Sequence, residues 1–161
     1  MPFYYDLVRS TTTNGTTLTE STHLWVKTAA EQETLGFAAI YVSARSATAG
    51  GGTVRLKDNT GTTASGGTGQ TPTPKNRRGN PSAQSTWAND ASAITPGVTL
   101  TVRGSIGFAQ TGGNGGWIAV EPAAKVQMQP NTTNPVDCEI TSIAVGTSIP
   151  IDITVEFGEG M

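Results

Sequence analysis

Ile149-Pro150-Ile151-Asp152-Ile153-Thr154-Val155-Glu156-Phe157 decides the fold. Its apolar side chains at 149, 151, 153, 155 and 157 alternate with Pro150, Asp152, Thr154 and Glu156. Successive side chains of an extended chain point to opposite faces. A period of two therefore turns one face to a core and the other to solvent or a partner. Ile149, Ile151, Ile153 and Val155 are β-branched, which fits a pleated, half-buried surface.

Working back along the chain, Val136, Cys138 and Ile140 alternate with Asp137, Glu139 and Thr141. The phase slips before Ile143 and Val145, which predicts a bulge or a strand end. Val126 and Met128 suggest a short strand. Gly112 to Gly116 predicts a hairpin turn into Trp117–Val120. Val98, Leu100 and Val102 alternate with Thr99, Thr101 and Arg103, and Ile106 and Phe108 follow. Val54 and Leu56 alternate with Arg55 and Lys57. Residues 35–43 are nearly all apolar or small, which predicts a central strand covered on both faces. His23 to Lys27 reads as a strand, residues 10–22 as a polar loop, and residues 29–34 as one helical turn at most. Eight or nine short strands separated by turn residues predict an all-β fold, a β-sandwich of jelly-roll-like kind with one long ordered loop. Alternation identifies strands but does not order them, so immunoglobulin-like and barrel topologies stay open.

A length of 161 residues suits one domain spanning 1–161. Two segments are expected to act as contact arms. One is the N-terminal segment 1–22, whose Phe3, Tyr4, Tyr5, Leu7 and Val8 predict either an edge strand or an arm on a neighbouring subunit. The other is the Gly/Thr/Pro-rich segment 58–97, which has almost no hydrophobic period. Loops this long in a compact domain are usually functional, and a partner is the expected source of its order.

Charged residues make up 14% of the chain, against about 25% in an average globular domain. Polar but uncharged surface costs little to desolvate against a partner. A net charge of −2 gives no reason to expect nucleic-acid binding. No run approaches a membrane helix. The opening residues MPFYYDLVRS lack a secretory pattern, so synthesis in the cytoplasm is expected, with any export inside an assembled particle. One cysteine, Cys138, excludes an internal disulfide.

No motif predicts catalysis. His23 is the single histidine and sits among Leu24, Trp25 and Val26 with no motif to recruit it as a base. One His and one Cys exclude the common zinc sites. Asp137 and Glu139, two apart on one strand face, suit a solvated or subunit-facing surface better than an acid–base pair. Asp58-Asn59-Thr60-Gly61-Thr62 reads as a turn after the Val54–Lys57 strand, and the glycine runs at 50–52, 66–69 and 112–116 read as turns rather than phosphate loops. No catalytic, cofactor or metal residue is expected. The candidate partner contacts are Lys75, Arg77 and Arg78, the one basic cluster, together with Trp87, Tyr4 and Tyr5, because Arg and aromatic side chains dominate interface energetics.

The stretches VRLKDNTGTTASGG (54–67), TPTPKNRRGNPSAQSTW (71–87) and GGWIAVEPAAKVQMQPN (115–131), running into IPIDITVEF (149–157), resemble tailed-bacteriophage capsid cement or decoration proteins. The resemblance lies in a short, Thr/Gly-rich, charge-poor, cysteine-poor β chain. It implies a non-enzymatic virion structural protein, a homo-oligomer and by analogy a trimer. Such a protein would sit on the outer capsid surface, bridge capsid subunits and stabilise them. A head-fibre, tail or receptor- or glycan-binding module of a phage particle is the alternative, with Trp87, Trp117 and Tyr41 as stacking platforms.

Overall fold

The structure is a computed structural model. It describes residues 3–14, 19–28, 34–45, 50–76, 79, 81–109, 116–119, 127–128, 136–145 and 148–160. The strands are β1 (Phe3–Thr12), β2 (Ser21–Lys27), β3 (Leu35–Ala44), β4 (Gly51–Asn59), β5 (Ser65–Gln70), β6 (Thr73–Pro74), β7 (Thr86–Thr95), β8 (Leu100–Ala109), β9 (Gly116–Ala119), β10 (Gln127–Met128), β11 (Asp137–Val145) and β12 (Pro150–Glu159). The described residues contain no helix. Residues 29–33 of the predicted helical turn and 112–115 of the predicted hairpin turn lie outside them, while Gly116 opens β9.

The strands form two antiparallel sheets packed face to face, a β-sandwich. One runs β10-β3-β12-β1-β6, with β9 also on β3; the other runs β5-β7-β2-β11-β4-β8. The pairing follows a rule. β1 pairs β12 and β3 pairs β9 and β10 in the first sheet, while β2 pairs β11 and β4 pairs β8 in the second. The early strands thus pair with the late ones in reverse order, and successive pairs fall in alternate sheets. An antiparallel ribbon wrapped in this way is a jelly roll.

Side-chain alternation supplies the core. Ile151, Ile153, Val155 and Phe157 point inward from β12 between Tyr5 and Leu7 of β1 and Phe37, Ile40 and Val42 of β3; Leu24, Val26, Val54, Leu56 and Ile140 face them from the other sheet. The expected phase slip in β11 is present as a register shift against β2 between Ile140 and Thr141. β3 is central, as its composition predicts, but its covering is incomplete: Tyr41 and Ser43 are exposed.

Two expectations need correction. The N-terminal segment is no arm, since residues 3–12 make a ten-residue ladder with β12. Nor is 58–97 a structureless loop. It leaves β4, forms β5 beside β7, crosses to the first sheet as β6 on β1, and returns as β7 on β2. This excursion straddles one side of the sandwich, and its own backbone ladders order it. Its strands lack a hydrophobic period because β5 is mostly exposed on both faces. The glycines at 66–69 are strand residues: Gly66 and Gly67 take positive φ of 74° and 81° at a register shift against β7, a backbone conformation glycine adopts without penalty. Gly51 and Gly52 likewise open β4.

Candidate functional site

The expected contact residues are scattered. Trp87 is core, 2% exposed, with its ring 4.8 Å from Phe157 and 6.1 Å from Phe37. Tyr5 is fully buried and stacks on Phe157 at 5.4 Å. Neither ring offers a partner any surface, because both alternate inward on strands whose neighbours close over them. Lys75 pins β6 to the first sheet through ion pairs with Glu156 at 2.7 Å and Asp6 at 3.4 Å. Burial disfavours its charge, but the hydrogen bond and charge of Glu156 and the charge of Asp6 outweigh that and raise its pKa. Arg77 and Arg78 lie outside the described residues. Tyr4 is exposed, at 38%, and so is Lys75, whose charge its two ion pairs engage.

Tyr4 belongs to a larger feature, the outer face of the first sheet. Val8 and Tyr41 are also exposed there, at 56% and 42%. Val8 pairs Thr154, and Thr154 pairs Tyr41, so the three form one row across β1, β12 and β3. Adjacent strands lie about 4.8 Å apart, which places Val8 and Tyr41 within reach of a single partner group. Charges around the row are matched internally: Lys75 with Asp6 and Glu156, Arg45 with Asp152 at 2.9 Å. Trp117 pairs Tyr41 in register on β9.

Inside the sandwich lies an arrangement that sequence reading missed. His23 Nε2 is 2.7 Å from Ser142 Oγ, and His23 Nδ1 is 2.6 Å from Asp90 Oδ2. Thr11 Oγ1 donates to the same Asp90 oxygen at 2.5 Å, and Arg9 Nε donates to the other at 2.5 Å. The order Ser–His–Asp is that of a nucleophilic triad. Ser142 is nevertheless 0% exposed and His23 1%, so no substrate carbonyl reaches the hydroxyl while the sheets stay packed. The group joins β1 of one sheet to β2, β7 and β11 of the other. Burial raises the Asp90 pKa, but hydrogen bonds from His23, Thr11 and Arg9 and the His23 charge win, and the net shift is downward. Asp90 and Ser142 lie 67 and 119 residues from His23 along the chain, so no local motif could have announced them.

The acidic pair Asp137 and Glu139 is likewise buried rather than solvated, both at 0% exposure. Asp137 Oδ2 accepts from the Ala64 amide at 2.7 Å and Asn59 Nδ2 at 3.1 Å. Glu139 accepts from the Gly97 amide at 2.6 Å and Thr22 Oγ1 at 2.7 Å. Glu159, at the end of β12, accepts from the amides of Gln84 and Ser85 and from Ser85 Oγ. These carboxylates clip the excursion onto the sandwich at three places. Burial with internal partners removes Asp137 and Glu139 from reach as an acid–base pair. Of the stretch expected to turn, Asp58 and Asn59 still belong to β4, paired with β11 and β8, and the turn begins at Thr60, closed by the Gly61 amide donating to Asn59 Oδ1 at 2.9 Å. Burial, then the charges of Asp58 and Asp137, push the Cys138 thiol well above its usual range, so it is not a thiolate nucleophile. Among the described residues no group of three His, Cys, Asp or Glu could hold a metal, and no helix is long and apolar enough to cross a membrane.

Fold and site together define an all-β jelly-roll sandwich with an apolar core, buried polar clusters beside it and a partly apolar outer face on the first sheet. No protein-family model matches the chain, and no curated protein matches it. Among solved structures it is similar to that of T=1 particles derived from infectious bursal virus, at a TM-score of 0.22 and 10% identity. That similarity covers 98% of this chain and 40% of the other. The chain thus spans less than half the length of that viral particle protein, and a score of this size carries no argument about shared fold or function.

Proposed function

We propose that the protein is a non-enzymatic virion structural protein, a capsid cement or decoration protein that binds the outer capsid surface and bridges neighbouring subunits. The observation that carries this reading is the outer face of the first sheet. Tyr4, Val8 and Tyr41 stand exposed on a rigid sheet whose surrounding charges are already paired within the chain. Exposed apolar side chains ringed by polar ones mark interaction surfaces, and neutralised charges lower the cost of desolvating them. The sequence resemblance supplies the capsid as partner and a homotrimer as the assembly. A protein that binds only the assembled shell stabilises that shell by mass action.

The test is capsid melting. Purified protein added to undecorated capsids of its source particle should raise their disruption temperature saturably. Combined Val8→Lys and Tyr41→Ala substitution should weaken binding by about tenfold or more, typical of an interface anchor. Arg77→Ala with Arg78→Ala tests the basic cluster separately. Binding without stabilisation would favour the fibre, tail or receptor-binding alternative, in which exposed Tyr41 stacks on a glycan. No binding to capsids would overturn the capsid reading.

A further inference from the structure

We propose that Asp137 is a proton-operated clasp: taking up a proton closes the 60–64 turn, and with it the root of the excursion, onto β11. The geometry gives this carboxyl two states with different environments. With the turn in place Asp137 is fully buried, and among the described residues its Oδ1 has no hydrogen-bond partner. Two donors, the Ala64 amide and Asn59 Nδ2, serve only Oδ2. An ionised carboxylate has about four lone-pair sites to satisfy, so the closed site leaves a charge half-solvated. With the turn lifted, water reaches both oxygens.

The charged neighbours reinforce the asymmetry. On β11 itself Glu139 disfavours a second negative charge, while on β2 Lys27 favours it. On β4 Lys57 is engaged by Glu20, and the Asn59 contact is a neutral amide. Residues 60–64 and 96–99, which cover the site, contain no ionisable side chain. The cover is tight: a Cβ on Gly97 would lie 2.0 Å from Asn59 Nδ2 and 2.9 Å from Glu139 Oε1. Burial leads, and the closed carboxyl is raised to about 6. A solvated Asp titrates near 3.9. The proton therefore binds the closed state more tightly. Closure is favoured as pH falls towards 5 and relaxed as pH rises through 6.

The experiment is amide hydrogen exchange at Ala64 in the full chain, corrected for intrinsic exchange, between pH 5 and pH 7.5. Protection should fall about tenfold over that range in the native protein and stay constant in Asp137→Asn, which keeps an acceptor for Ala64 but cannot titrate. Flat protection in the native protein, or an equal fall in the variant, overturns the clasp. Should Asp137→Asn not fold, carboxyl-carbon NMR titration of the native protein decides: a midpoint near 6 at Asp137 supports the clasp, and one near 4 overturns it.

Discussion

Single residues in this protein matter through what they leave unpaired when removed. Asp90 takes hydrogen bonds from His23, Thr11 and Arg9 at the junction of the two sheets. Asp90→Ala strands a buried imidazole and a guanidinium, and should cost about 3 kcal/mol in urea unfolding. Its lowered pKa also fixes a sign. Stability from Asp90 is present above the unfolded value of about 3.9 and is lost as pH falls through the lower folded value. Gly97→Ala has no space for its methyl against Asn59 and Glu139. It should cost about 1–3 kcal/mol and reduce protection at Ala64 at every pH, read by the same exchange experiment. None of these roles shows in the sequence. His23 reads as an ordinary strand residue, and its partners come from β7 and β11.

At the scale of elements, the excursion behaves as part of the sandwich. Trp87 anchors β7 between Phe37 and Phe157, and Trp87→Ala should cost about 3–5 kcal/mol, as large-to-small core changes do. Global chemical denaturation measures this. A loop-tip tryptophan would give less than about 0.5 kcal/mol, so the result separates a core strand from a contact arm. Strands with one apolar face were legible: β12, β11 and β4 stand where alternation puts them. Strands β5 and β6 were not, because SGGTGQ and Thr-Pro bury backbone rather than side chains, and a hydrophobic period cannot report backbone hydrogen bonds. β1 was legible as an edge strand, and among the described residues of the sheet only the two-residue β6 lies outside it.

The whole molecule should show a stability optimum in mild acid. Asp90 weakens the fold below about pH 4. Asp137 weakens it as pH rises from about 4 to about 6, by at most about 3 kcal/mol in all. Thermal melting of the isolated protein from pH 3 to 8 should therefore peak near pH 4, and Asp137→Asn should flatten the fall between about pH 4 and 6. Alternation did not settle the face of β8, where Val102, like Val98 just before the strand, is exposed. The sequence by itself determined the all-β class, the inward face of β12 and β4, the bulge in β11 and the absence of a local catalytic motif. Each is a property of neighbouring residues and the two-residue period. Only the tertiary structure decided the jelly-roll pairing, the ordering of the excursion, the burial of Trp87 and Tyr5, and the Ser142–His23–Asp90 and Asp137 sites. These depend on which distant strands meet. Hydrogen bonds between residues some 70 to 120 positions apart leave no period or spacing in the chain that forms them.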